Sequence, residues 1–222
     1  MLVVIAIISI LMTAGSIGLS GMGGKGVTSG VATAESLFDE ARTTAVGRNL
    51  RACVLVAKTL TNNPAEDLRR MVVAYEEANT DGTAKAPNSS DPNWVLSSRG
   101  AVLPDQTFFS EKFSKWKDTN GGSISADTIK SAKLVGAKKT FEGEYFAYRF
   151  NAQGISLNPG SSFVIGSGAR NLSKKASEAP PRITASAKRD FGGFVVWRNG
   201  RTSLYRNPDQ ISQSLPGTGQ PF

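Results

Sequence analysis

The sequence predicts an α+β fold: a long N-terminal helix, half membrane-embedded and half amphipathic, packed on an antiparallel β-sheet. Three observations carry this reading. Met1 to Met22, MLVVIAIISILMTAGSIGLSGM, contains no charged residue. Val27, Val31, Ala34, Phe38, Ala41 and Ala45 then recur at steps of three or four, which puts them on one face of a helix. From Arg51 onward the period drops to two or gives way to continuous apolar runs, the pattern of strands. The chain divides accordingly into a membrane half of the helix (1–24), an amphipathic half (25–50), a β-rich globular domain (51–206) and a flexible tail (207–222).

The opening run is long enough to span a bilayer, because a helix from Met1 to Met22 reaches ~33 Å, about the thickness of the hydrocarbon layer. A secretory signal peptide carries a basic stretch before its apolar core, and nothing basic precedes this run. Gly18, Gly21, Gly23, Gly24, Gly26 and Gly30 dilute the helical pattern, at up to ~1 kcal/mol each relative to alanine. That stretch is expected to bend or melt easily, either as a weak segment used in packing or as a plain linker. The amphipathic half presents Glu35, Asp39, Glu40, Arg42 and Arg48 on its polar face, acids first and bases last as the helix dipole favours. Gly47 or Asn49 is placed to end it.

RACVLVAK (51–58) and RMVVAYE (70–76) read as two antiparallel strands joined by the turn-rich TLTNNPAEDL. Residues 80–93 form a polar loop, and WVLSSRGAVLP (94–104) a short strand and a turn. Phe108, Phe109, Phe113 and Trp116 are expected to pack against the sheet. Between Asp118 and Thr140 a short helix is expected, with Ser125 as N-cap and Ile129, Ala132 and Val135 facing inward. YFAYRFN (145–151) is a strand, Gln153-Gly154 a turn, and SFVI (162–165) a further strand. FVVW and RTSLYR flank Arg198 and Asn199-Gly200, a hairpin in which Asn-Gly supplies positive φ values. The Pro-, Gly- and Ser-rich end from Asn207 is expected to fray.

With 222 residues, 40% of them hydrophobic and including three Trp and eleven Phe, the chain can build a core. One cysteine, Cys53, and no histidine exclude an internal disulfide and a His- or Cys-based metal site. They also remove the Ser-His and Cys-His nucleophile arrangements. Cys53, within LRACVLV, reads as a small buried core residue. The acidic pairs Asp39-Glu40, Glu76-Glu77 and Glu142 with Glu144 read as solvated faces, and no glycine loop of the phosphate-binding kind is present. No catalytic residue, cofactor, metal or small-molecule substrate is expected. The chain is read as a non-enzyme, with a signal-anchored enzyme or ligand-binding module as the alternative.

MLVVIAIISIL resembles the N-terminal segment of type IV pilins and type II secretion pseudopilins. In that family a basic leader, Gly, and Phe-Thr-Leu-Ile-Glu precede such an apolar run. The resemblance implies that this motif stands just upstream of Met1 and that translation was assigned to an internal methionine codon; an ordinary signal anchor is the alternative. LFDEARTTAVGRNLRACVLV, WVLSSRGAVLP and FNAQGISLNPGSSFVI before the last hairpin look like the minor pseudopilins of the H type and the related competence minor pilins. What this implies is a structural subunit, held in the inner membrane by a single pass with its globular domain in the periplasm. Its partners would be other pilins or pseudopilins, reached through the N-terminal helix, and membrane lipid, and its role would be in protein export.

Residues 166–206 hold nine basic residues (170, 174, 175, 182, 188, 189, 198, 201, 206) against Glu178 and Asp190, an excess of seven in a chain of net charge +8. Such a concentration attracts phosphates or an acidic partner and loses that attraction as salt rises. Some competence minor pilins bind DNA through basic C-terminal residues, and the resemblance makes Arg198, Arg201 and Arg206 the candidate nucleic-acid contacts. The other readings are a solvated basic face and lysines docking another subunit. Trp197 and Tyr205 lie nearby but are expected as core or sheet-face residues.

Overall fold

The computed structural model describes residues 22–184, 190–207 and 210–211. Residues 1–21 of the predicted membrane half lie outside the described residues, as do Lys188, Arg189 and nearly all of the predicted tail. No described helix is long and apolar enough to cross a membrane.

The architecture is α+β. One helix, α1 (Met22–Arg48), lies across two sheets. All six stripe positions are buried, with Ala34, Phe38, Ala41 and Ala45 fully so, and Leu37 joins them. The helix continues unbroken from Met22 through the last glycines. The physical reason is close approach: a methyl group at Gly30 would stand 2.8 Å from Ile165 Cδ1, and one at Gly26 3.1 Å from Thr107 Oγ1. These glycines let the helix settle onto the strands. At the other end Asn49 takes a positive φ of 54°, while Leu50 N donates to Ala45 O at 3.2 Å and Asn49 N to Val46 O at 3.3 Å. That pair of bonds is a Schellman motif, with Asn49 in the left-handed position glycine usually fills.

The first sheet runs β8-β10-β1-β2-β3-β9, and β4 also pairs β2. Its strands are β1 (Ala52–Leu60), β2 (Arg70–Glu76), β3 (Trp94–Leu96), β4 (Ala101–Val102), β8 (Thr128–Lys130), β9 (Leu134–Val135) and β10 (Gly143–Phe150). β1 is central, antiparallel to β2 with Val54 opposite Val73 and to β10 with Val54 opposite Tyr148. Only β9 runs parallel to its neighbour, β3. β8 and β9 sit at opposite edges, yet just residues 131–133 separate them. Four Cα steps reach at most ~14 Å, whereas six flat strands would set the edges ~24 Å apart. The sheet therefore curls until its edges approach. Cys53, Leu55, Val72, Ala74, Trp94, Ile129, Leu134, Phe141 and Tyr145 fill the inside of the curl. With Val54, Val56 and Val73 buried under α1 on the other side, both faces of β1 and β2 are covered, which accounts for their continuous apolar runs.

The second sheet runs β13-β12-β11-β5, comprising β5 (Thr107–Phe109), β11 (Ser161–Ser167), β12 (Phe191–Val196) and β13 (Thr202–Leu204). β6 (Trp116–Lys117) and β7 (Ser123–Ile124) form a separate small ribbon. Phe38 joins the layers: its ring lies 5.1 Å from Tyr148 and 6.2 Å from Phe150 on the first sheet, and 5.7 Å from Phe163 and 5.0 Å from Phe194 on the second. Phe108, Phe109, Phe113 and Trp116 are buried in the same core.

Two expectations need correction. Residues 118–140 hold no α-helix but short strands and two 3-10 turns. Ile129 is buried and pairs with Tyr145, while Ala132 and Val135 face solvent and Ser125 caps nothing. Thr128 and Lys130 point out on either side of Ile129, a period of two that three short residues could not advertise in the sequence. In the last hairpin only Gly200, φ 74°, has a positive value, and Asn199 does not. Gly200 N donates to Trp197 O and Trp197 N to Arg201 O, both at 2.9 Å, so the turn has three loop residues with a glycine bulge.

Candidate functional site

The predicted basic region divides into buried and exposed parts. Arg170 is structural: its side chain is fully buried and lies 3.7 Å from the equally buried Asp67. Its guanidinium donates to the carbonyls of Asp67 at 3.0 Å, Lys174 at 2.6 Å, and Pro64. Asp67 in turn accepts from Leu60 N at 2.7 Å and Ala176 N at 2.8 Å. Burial pushes the Asp67 carboxyl above its ordinary range and draws the Arg170 guanidinium below its own. The pair clamps the loop after β11 onto the β1–β2 connection.

Arg198, Arg201 and Arg206 are all exposed, but they do not form one cluster. Arg198 and Arg201 flank the β12–β13 turn. Arg206 lies past the far end of β13, ~16 Å along extended chain. Near the turn, Arg42 of α1 lies over two glycines: a methyl at Gly200 would stand 2.9 Å from Arg42 Cδ, and one at Gly154 3.1 Å from Arg42 Cγ. Arg42 Nε is buried and has no hydrogen-bond partner. Ser156 N donates to Arg198 O at 3.1 Å, so the 151–156 turn and the 197–201 turn are knitted together over the end of the helix.

Of the core or sheet-face placements expected of it, Trp197 takes the second, on the exposed face of the last hairpin. It is 51% exposed, and its Nε1 donates to Ser203 Oγ at 2.8 Å, which holds the indole across the hairpin. Tyr205 is half-buried against the core. An indole fixed by its own N–H beside a cross-strand arginine was legible only as a Trp within an alternating pattern; its exposure depends on β13 being an edge strand.

The acidic pairs do not act as pairs. Buried Glu76 receives Arg51 through two bonds of 2.7 Å, while Glu77 meets Lys85 at 2.8 Å and Asn93 at 3.0 Å. Ser98 Oγ donates to Glu40 at 3.3 Å, Glu144 lies 3.4 Å from Lys58, and Glu142 accepts from Asn62. A cleft of about 810 Å³ opens where β3 and β9 part company, floored by Phe141, Leu96 and Arg70. Arg70 donates to Glu66 there. That bond holds the Glu66 carboxyl below its usual range and raises the Arg70 guanidinium, so both stay charged near neutrality and neither is poised to exchange a proton. No cluster of residues suited to a metal ion occurs among the described residues.

Cys53 lies inside the curled sheet, where burial pushes its thiol well above the ordinary value. It is expected to resist thiol reagents in the native protein and to react fully in denaturant; rapid labelling of the folded chain would contradict this placement.

No protein-family model and no curated protein matches the chain. Among solved structures it is similar to the crystal structure of the type IV minor pilin FimU of Pseudomonas aeruginosa (strain PAO1). The identity is 11%, the match covers 86% of this chain and 93% of that one, and the TM-score is 0.37. At that identity and score, the functional reading stands on the chain's own residues.

Proposed function

We propose that the protein is a structural subunit of a pilus-like or pseudopilus-like filament, held in the inner membrane before assembly, with its globular domain in the periplasm and no chemistry of its own. The supporting observation is an adjacency in the chain. α1 reaches Met22 as a helix, and the residues before it in sequence are an uncharged apolar run. α1 serves as the spine of the globular domain. In this reading the apolar half is the part exchanged between lipid and neighbouring subunits, since leaving the bilayer requires equally apolar helix contacts in its place.

The test is made in cells with the full chain carrying a C-terminal epitope. The tagged chain is expected to stay with membranes through alkaline carbonate washing, to co-purify with pilin-like subunits after cross-linking, and to be lost from both fractions when residues 2–21 are deleted. Release by carbonate, or cross-linking to no pilin-like subunit, would reject the proposal.

A further inference from the structure

We propose that the end of the molecule where α1 finishes is a docking surface for an acidic, partly apolar face of another protein. Three segments meet there: 42–50 from the end of α1, 151–156 after β10, and 197–201 around the last turn. Their junction is fixed by the Arg42, Gly154 and Gly200 contacts and by the Ser156 N to Arg198 O bond. Together these segments contain four arginines, no lysine and no acid, although lysines make up half of the chain's 26 basic residues. Glu35, which reaches the hairpin, accepts from Thr202 Oγ1 at 2.6 Å. Arg198 and Arg201 stand on the turn that packs over Arg42, and none of the three takes part in an ion pair among the described residues.

Apolar side chains are exposed on both sides of that turn, Val46 on the α1 side and Trp197 on the outer face of the hairpin. Val46 is 55% exposed, Ile155 38% and Trp197 51%. Val46 Cγ2 would stand 2.9 Å from a methyl at Gly154, the residue before Ile155. Surface cations without carboxylate partners, set among exposed aliphatic and indole groups, specify the complement: carboxylates for the guanidiniums and apolar groups for the rest. Arginine and tryptophan are enriched where protein interfaces concentrate their energy, and lysine is depleted there. A planar guanidinium matches a carboxylate through two parallel bonds, which an ammonium cannot do. A phosphate backbone would use the charge alone, would be served as well by lysine, and would leave Val46 and Ile155 without a role. The observations therefore favour a protein partner over a polyanion. The proposal goes beyond the filament reading and does not depend on it.

The test uses the full chain in mild detergent and follows the fluorescence of Trp197, since Trp94 and Trp116 are buried. A peptide alternating glutamate and leucine serves as probe, with control peptides in which lysine replaces glutamate or serine replaces leucine. Binding of the glutamate-leucine peptide is expected, weakened roughly ten-fold in the Arg198→Glu, Arg201→Glu variant and similarly by the serine-for-leucine control. The exposed positions leave the fold intact, which circular dichroism checks. Ile155→Ser is a second variant, expected to weaken the glutamate-leucine peptide but to leave the serine control unchanged. Absent binding, binding indifferent to the charge reversal, or a stronger response to a short duplex DNA or to phosphatidylglycerol vesicles overturns the proposal.

Discussion

Replacing Phe38 by alanine is expected to destabilise the protein by about 3–5 kcal/mol, the usual cost of removing a fully buried phenyl group. Phe38 is 0% exposed and makes edge-on contacts with four aromatic rings, two on each sheet. Its loss removes both the transfer energy of the ring and the shared wall by which the sheets register against each other. In a chain of this size each kcal/mol moves the melting temperature by about 2–4 °C, so a fall of roughly 6–20 °C in thermal unfolding should result. Phe38→Leu, which keeps most of the volume, should cost much less. An alanine variant within about 1 kcal/mol of the parent would show that the helix does not tie the two sheets together.

Asp67→Ala should be comparably severe, by a different mechanism. The substitution leaves Arg170 buried without its countercharge and leaves Leu60 N and Ala176 N without acceptors. Breaking a buried pair from one side typically costs about 3–5 kcal/mol, whereas replacing both members by apolar groups of similar size is often nearly neutral. The double variant Asp67→Leu, Arg170→Met is therefore expected to recover most of what the single change loses in urea unfolding. Arg170 still spans three backbone carbonyls, so recovery should be incomplete. If the single variant keeps parental stability, the clamp between the β1–β2 connection and the loop after β11 contributes nothing. The raised Asp67 pKa has a definite sign as well. The group favours the folded state in acid, and that contribution is lost as pH rises through its folded-state value.

The parts of this protein legible in advance are those governed by local spacing. The stripe from Val27 to Ala45 repeats with the helical period, and that alone selects the face to be buried. The β1 and β2 strands announced themselves as apolar runs bounded by turn residues, and Asn-Gly marked the last hairpin even though the turn adopted another type. Segment 118–140 hides its strands from any sequence reading because they are two or three residues long, too short for a period to emerge above composition. Helix propensity, a local quantity, marks Gly26 and Gly30 as weak points. Their use as points of close approach depends on Ile165 and Thr107, which lie far away along the chain.

The same division governs the charged residues. Sequence counted nine basic groups toward one patch, but a count cannot tell Arg170, sealed against Asp67, from Arg198 and Arg201, left open on a hairpin turn. Solvent access follows from which segments cover which, and that is settled by contacts more than a hundred residues apart. By itself, then, the sequence determined the helix, its buried face, the α+β character and the excess of positive charge near the C-terminal end, because period and composition are properties of neighbours in the chain. Only the tertiary structure decided that the first sheet curls until its edges approach, that both faces of β1 and β2 are buried, and that the turn carrying Arg198 and Arg201 packs over Arg42 beside exposed apolar groups. Strand order and burial are properties of neighbours in space, and no local pattern encodes them.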